Sequence, residues 1–248
     1  MVVAVTPCAG SVADESGLGG EAAEHPEVVV GDAVQADRRA GRCCHIRTIL
    51  AEHDVASPSV SRPRTIVDVL HEHRSRGDNE VADVARIRQL SQTVDDPWRS
   101  MPLHVTASAL IVHPPTQRVL LRWHQRQQAW LQVGGHGEPG ESDPLEIALR
   151  EGAEETGLTD LTPWPDARLV HAVIVRVPAR DSDPAHEHAD LRFLLATSEP
   201  ARARPERPAA QLRWLTLADA RDATSEANLR ETLRRVERIV STQHEPLP

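Results

Sequence analysis

The segment GGHGEPGESDPLEIALREGAEETGL, residues 134–158, decides the reading of this chain. Its second half predicts a helix over 144–156, closed by Gly157 as a C-terminal cap. On a helix, positions three and four apart share a face, so Glu151, Glu154 and Glu155 project together. Leu145, Ala148, Leu149 and Gly152 form the neighbouring side, suited to packing on a sheet. Three carboxylates on one patch repel each other, at roughly 0.2–0.5 kcal/mol for each like-charged pair. Burying one without a partner costs far more. A divalent cation resolves the conflict, because hard oxygen ligands are what Mg²⁺ selects. The alternative is a plain solvated acidic face.

Two neighbours favour the cation. A glycine-rich loop with Gly134, Gly135, Gly137 and Gly140 precedes the helix, and glycine lets backbone approach a ligand closely. Arg150 adjoins Glu151, where its guanidinium can orient a carboxylate. At these residues the segment resembles the Nudix box, G-x5-E-x7-R-E-U-x-E-E-x-G-U with U aliphatic. Gly135 and Glu141 match its first pair, and Arg150-Glu151, Glu154-Glu155 and Gly157-Leu158 match its second half. The chain departs twice. Eight residues, not seven, separate Glu141 from Arg150, the extra one falling in Ser142-Asp143-Pro144 before the helix. Gly152 stands at the first aliphatic position, where it costs roughly 0.5–1 kcal/mol relative to alanine and permits close packing on the sheet.

The resemblance implies an α/β fold: a Nudix-type α/β/α sandwich with a mixed sheet, here preceded by short helices and a disordered N-terminal tail. It implies a hydrolase that uses Mg²⁺ or Mn²⁺ to cleave a diphosphate linkage in a nucleoside-diphosphate-X type compound. Carried over by position, Glu154 and Glu155 are metal ligands, Glu151 is a ligand or the base that activates water, and the Gly134 carbonyl is a further ligand. Arg150 holds Glu151 in place. Some members recruit an acid from outside the box. Here Glu187 is the candidate, with Asp190 as another, in His186-Glu187-His188-Ala189-Asp190. The same run also reads as a second metal site or as a polar loop and strand edge. Trp123 and Trp130 are substrate-binding candidates because a base can stack on either ring, and core packing is their alternative. Arg122 and Arg126 are candidates to meet phosphates.

Composition narrows the class. The formal charge of −9 lacks the electrostatic footprint of a nucleic-acid binder. Every basic residue is an arginine, which removes Schiff-base lysine chemistry and the phosphate-loop lysine. The three cysteines, Cys8, Cys43 and Cys44, lie early in the chain, so the remainder offers no thiol nucleophile. That argues against the isopentenyl-diphosphate isomerase variant of the fold, which needs a catalytic cysteine. A catalytically inactive Nudix domain serving as a nucleotide-ligand sensor is the second reading. All three helix glutamates are present, and the stretch after Leu215 is short for a winged helix. The expected partner is a small nucleotide derivative, with no nucleic-acid polymer and no membrane, and a homodimer is the candidate assembly. No apolar run approaches the ~20 residues that span a bilayer. The opening residues do not form a signal peptide, so the expected location is cytoplasmic.

Around the box, residues 1–62 are rich in Ala, Gly, Ser, Pro and acids without sustained period, and are expected to be a disordered tail. Residues 63–100 read as two short helices, with Ile66, Val69 and Leu70, then Val81, Val84, Ile87 and Leu90, at helical spacing. The main domain is expected over 101–242. Strands are predicted at 104–112, 118–123, 130–133, 169–177, 190–197 and 212–215, with a last helix from Thr224 or Ser225.

Overall fold

The computed structural model describes residues 62–180 and 183–243. Residues 1–61 of the expected tail, with the three cysteines, lie outside the described residues. The first described helix, α1 (Ile66–Glu72), starts at a capping box. The Thr65 hydroxyl accepts from the Asp68 N–H, and the Asp68 carboxylate accepts from the Thr65 N–H, satisfying two orphan donors of the first turn. Helix α2 (Asp78–Thr93) buries Val84 and Ile87, but Val81, part of the same apolar period, is solvent-exposed.

Glu80 fastens α2 to the domain. Its buried carboxylate accepts from His73, from the Ala172 N–H and from Arg235, at 2.8, 3.1 and 2.8 Å. Burial alone would raise this carboxyl, yet these bonds hold it far below the ordinary carboxylate range.

The strands are β1 (Leu103–His113), β2 (Arg118–His124), β3 (Ala129–Leu131), β4 (Val133–Gly135), β5 (Thr162–Pro163), β6 (His171–Val177), β7 (His186–Ala196) and β8 (Leu212–Thr216). Helix α3 (Pro144–Thr156) follows β4, and α4 (Leu217–Ala223) and α5 (Ala227–Gln243) end the described chain. The sheet is mixed. β1 and β7 run parallel at its centre, and the other pairings are antiparallel.

Alternation along the central pair builds two layers of core. Val105, Ala107, Ala109 and Ile111 of β1 join Ala189, Leu191, Phe193 and Leu195 of β7 in one cluster, completed by residues of α1, α2 and α3. The opposite face is divided along its length. Leu110 and Val112 pair with Leu194 and Ala196 and pack on α4 and α5. Nearer the start of both strands the same face is polar: His104 stands beside His188, Thr106 beside Asp190 and Ser108 beside Arg192. The helices cover the apolar half and leave the polar half as the floor of a cleft.

Several expectations change at this level. The strand expected over 130–133 is two strands, β3 pairing with β2 and β4 with β1. Strand β7 begins at His186 rather than at 190, and β5 and α4 were not foreseen. The expectation for α3 holds at both ends. Asp143 caps it by accepting from the Leu145 N–H, and Gly157 takes φ 68° with its N–H bonded to the Ala153 carbonyl. Gly152 faces the sheet so closely that a Cβ there would lie 3.0 Å from Leu161 Cδ1. Among the described residues no helix is long and apolar enough to cross a membrane.

Candidate active site

β1 pairs with β2 only over 111–113, and with β4 over 107–109. Where β2 departs and β4 takes its place, a cleft of about 310 Å³ opens. It is lined by Arg122 and His124 of β2, the Gln132–His136 segment that contains β4, Glu155 of α3, and the polar halves of β1 and β7.

Helix α3 places Glu155 in the lining of this cleft, and Arg150 organises the neighbouring Glu151 and Glu154. Its guanidinium donates to both oxygens of Glu141, at 2.9 and 3.0 Å, and to Glu151 and Glu154 at 3.0 and 3.1 Å. A further N–H reaches the His136 carbonyl at 2.9 Å. The extra residue in the loop is therefore absorbed before α3 without disturbing the Glu141–Arg150 pairing. Arg150 also holds the Glu141 carboxyl below its ordinary value.

Glu155 lies deeper. Arg122 pairs with it at 3.2 Å, and the Gly134 N–H donates to it at 3.2 Å. Burial pushes its carboxyl up to about 7, against the pull of Arg122 and Gly134, and the Glu151 and Glu206 charges add to the rise. Glu151 is raised too, first by burial, with Arg150 opposing. Two glycines make this packing possible. A Cβ on Gly135 would fall 2.5 Å from Glu151 Oε1, and Gly134, at φ 148°, would drive one into Ser108.

On the floor, Asp190 accepts from Thr106 and Ser108 on one oxygen, at 3.2 and 2.8 Å. Its other oxygen accepts from Gln132 and Arg192, at 3.1 and 2.7 Å. Arg192 is fixed in turn by Thr232 and Asn228, each at 2.9 Å. Two buried polar atoms in the lining have no hydrogen-bond partner, Arg122 Nε and Gln132 Oε1.

The structure brings together Gly134, Arg150, Glu151, Glu154, Glu155 and Arg122 from the residues singled out in the sequence. It does not bring in Glu187. That side chain alternates away from the cleft and pairs with Arg86 and Arg176, at 2.6 and 3.7 Å. Asp190 is the acid of that run that reaches the cleft. Trp123 and Trp130 are cross-strand partners with ring centroids 5.5 Å apart, packed in the second core beside α4 and α5, so core packing is the reading that fits them. Arg126 pairs with Asp183 instead of lining the cleft.

Sequence reasoning missed His104 and His136, and with them a cluster. His104, His136, His186 and His188 pack together with neighbouring centroids 4.7–5.4 Å apart, His104 stacking on His186 and the other pairs tilted or edge-on. Burial, followed by the neighbouring histidines, lowers His104 and His188 to about 4. The HxH run at 186–188 was the visible half of this cluster.

The sequence model of the NUDIX domain matches residues 102–236. No curated protein sequence matches the chain. Solved structures similar to it include a C. elegans Ap4A hydrolase binary complex, 21% identical, covering 56% of this chain and 98% of that one, TM-score 0.45. The E. coli dihydroneopterin triphosphate pyrophosphohydrolase is 21% identical, covering 56% and 95%, TM-score 0.44. The M. smegmatis Nudix hydrolase RenU is 20% identical, covering 58% and 88%, TM-score 0.39.

Proposed function

This chain belongs to the NUDIX domain family, and from that premise we propose that it hydrolyses a diphosphate linkage in a nucleoside-diphosphate-X type compound, with Mg²⁺ or Mn²⁺ as cofactor. The observation that carries the reading is that α3 presents Glu151 and Glu154 to Arg150 beside Glu155, which lines a polar cleft with Arg122, His124, Arg192, Asp190 and Glu226.

The donor set fits a hard divalent cation. Glu151 and Glu154 share Arg150, the neighbouring Glu155 pairs with Arg122, and the carboxyl of Glu155 is still raised to about 7. Such a site gains from a further positive charge among its oxygens. Glu151, Glu154 and Glu155 would hold the cation, with the Gly134 carbonyl as the additional ligand proposed from the box. When bound, the cation neutralises diphosphate charge and lowers the pKa of a coordinated water.

The chain's own residues do the remaining work. Arg150 fixes three carboxylates at once and sets the angle at which they face the cleft. Glu151 serves as ligand or accepts the proton of the attacking water. Arg122, paired with Glu155, would be available to a substrate phosphate if Glu155 held the cation. Asp190, with four donors already on it, is an anchor for Arg192 and Gln132 rather than a proton acceptor. The unpartnered Gln132 Oε1 and Arg122 Nε mark where a ligand's polar groups would be recognised.

The test is a panel of nucleoside di- and triphosphates, dinucleoside polyphosphates and nucleotide sugars, incubated with Mg²⁺ or Mn²⁺ and assayed for phosphate or pyrophosphate release. Release from at least one class, abolished by chelation, is expected. Tight nucleotide binding with no turnover on any class would instead favour a sensor.

A further inference from the structure

Beside the box carboxylates lies a second donor set of different chemistry. His104 is the second residue of β1, His136 follows β4, and His186 and His188 are the first and third residues of β7. Strand pairing puts His104 level with His188, and the β4 pairing brings His136 over them. One ring nitrogen from each of His104, His136 and His188 lies within 4.8 Å of the others.

We propose that His104, His136 and His188, with His186 as the fourth donor, bind a borderline divalent transition-metal ion of the zinc type, at a site distinct from the box carboxylates. The distances suit it. Nε2 of His104 is 3.0 Å from Nε2 of His136, and Nε2 of His186 is 3.2 Å from Nε2 of His188. Metal–imidazole bonds of ~2.0–2.1 Å in a tetrahedron give a nitrogen–nitrogen edge of about 3.3 Å. The donor nitrogens of His104, His136 and His188, within 4.8 Å of one another, would close to that edge by ring movement, and His186, outside that group, would have to turn further to join them.

The tautomer of His186 suits it as well. Its Nδ1 sits 2.8 Å from the Pro184 carbonyl, which can only accept, so Nδ1 carries the proton. The lone pair is then on Nε2, aimed at His188. An Nδ1–H bonded to a backbone carbonyl is how metal-ligating histidines are commonly oriented. His104 is buried while His136 is exposed, so the cluster has a closed floor and an open entry.

Imidazole donors select zinc, nickel or copper, whereas Mg²⁺ and Mn²⁺ prefer the carboxylates, so the two sets need not compete. The inference stands apart from the hydrolase reading, because it concerns only what these rings bind. An ion held there would clip the starts of β1 and β7 to the end of β4, which carries Gly135, and so would brace the backbone against which Glu151 rests.

The test uses the full chain, stripped with chelator, then dialysed against Zn²⁺ in a large excess of Mg²⁺. Bound zinc is counted by elemental mass spectrometry, and Co²⁺ is used in parallel for its tetrahedral visible absorption. One equivalent of zinc retained, with a tetrahedral Co²⁺ spectrum lacking thiolate charge transfer, is expected. His136→Gln, at an exposed position, and His188→Asn should each weaken that equivalent at least ~10-fold, on the scale of lost metal-site contacts. Glu154→Gln should leave it in place. Circular dichroism melts confirm that each variant is folded. No retained equivalent in the parent, or one that persists unchanged in both folded histidine variants, overturns the assignment.

Discussion

Arg150 grips Glu141 at two points across the loop that precedes α3, with Nε on one carboxylate oxygen at 2.9 Å and a terminal nitrogen on the other at 3.0 Å. Such two-point pairing fixes direction as well as distance. The same guanidinium reaches Glu151 and Glu154, so Glu141 acts on the proposed cation site through Arg150. Both side chains are partly solvated, and the pair should contribute no more than about 1 kcal/mol to stability. Glu141→Gln and Arg150→Lys should each lower kcat by ~10-fold or more, on the scale of 1.4 kcal/mol per tenfold. The double variant should lose less than the product of the two. Fully multiplicative losses would show that the residues act independently.

Gly135 is the place where presence and placement of Glu151 can be separated. A Cβ there meets the end of the Glu151 side chain, which can swing away at little cost to the fold. Gly135→Ala should therefore keep the melting temperature within a few degrees and reduce turnover at least ~10-fold. A variant with unchanged turnover would mean that the Glu151 position against the backbone has no catalytic use.

The raised carboxyl of Glu155 sets a pH dependence whose sign can be stated. Its folded value of about 7 exceeds the ordinary 4.5, so the metal-free folded chain holds this proton more tightly than the unfolded chain. The stability it contributes is present below the ordinary value and is lost as pH rises between the two, at up to about 1.4 kcal/mol per pH unit. Urea melts of the metal-free parent and Glu155→Gln should diverge with pH. The variant should gain relative stability between about pH 5 and about pH 8. Histidine contributions run the other way but cancel in the difference. Equal pH slopes for the two proteins would contradict the raised value.

Glu187 supplies a negative prediction. It is engaged with Arg86 and Arg176 on the side of β7 that faces away from the cleft. Glu187→Gln should leave turnover within ~3-fold, where loss of a general base costs ~10²-fold or more. A steep loss in a folded variant would place Glu187 in the reaction.

What could be read from the sequence followed the range of the forces involved. Helix α3 was legible to the residue because its signals are local: Asp143 and Pro144 at the start, Gly157 at the end, and a periodic apolar face between. The box glutamates came with it, since helical spacing alone puts them on one side. Strand β7 was legible only where apolar residues alternate. Its first turn of sequence, His186 to Asp190, looks like a loop because its alternate side chains face a polar cleft. The tryptophans show the converse. Trp123 and Trp130 precede the box closely in sequence, but the β2–β3 pairing turns both into the second core. His104 and His136 join His188 only through the parallel β1–β7 register and the β4 pairing, which no local pattern announces.

The central claim is that Glu154 and Glu155 hold a catalytic cation, and one paired measurement tests it most directly. Turnover and Mn²⁺ binding are compared in the parent, Glu154→Gln and Glu155→Gln, alongside the melting temperature of each in metal-free buffer. Glutamine keeps size and helix propensity nearly constant while removing one charge from a repelling set. The account predicts melting temperatures equal to or slightly above the parent's. It also predicts weakened Mn²⁺ binding and turnover lower by at least ~10²-fold, because the cation's charge stabilisation is worth several kcal/mol. Two variants that bind Mn²⁺ and turn over substrate like the parent would contradict it.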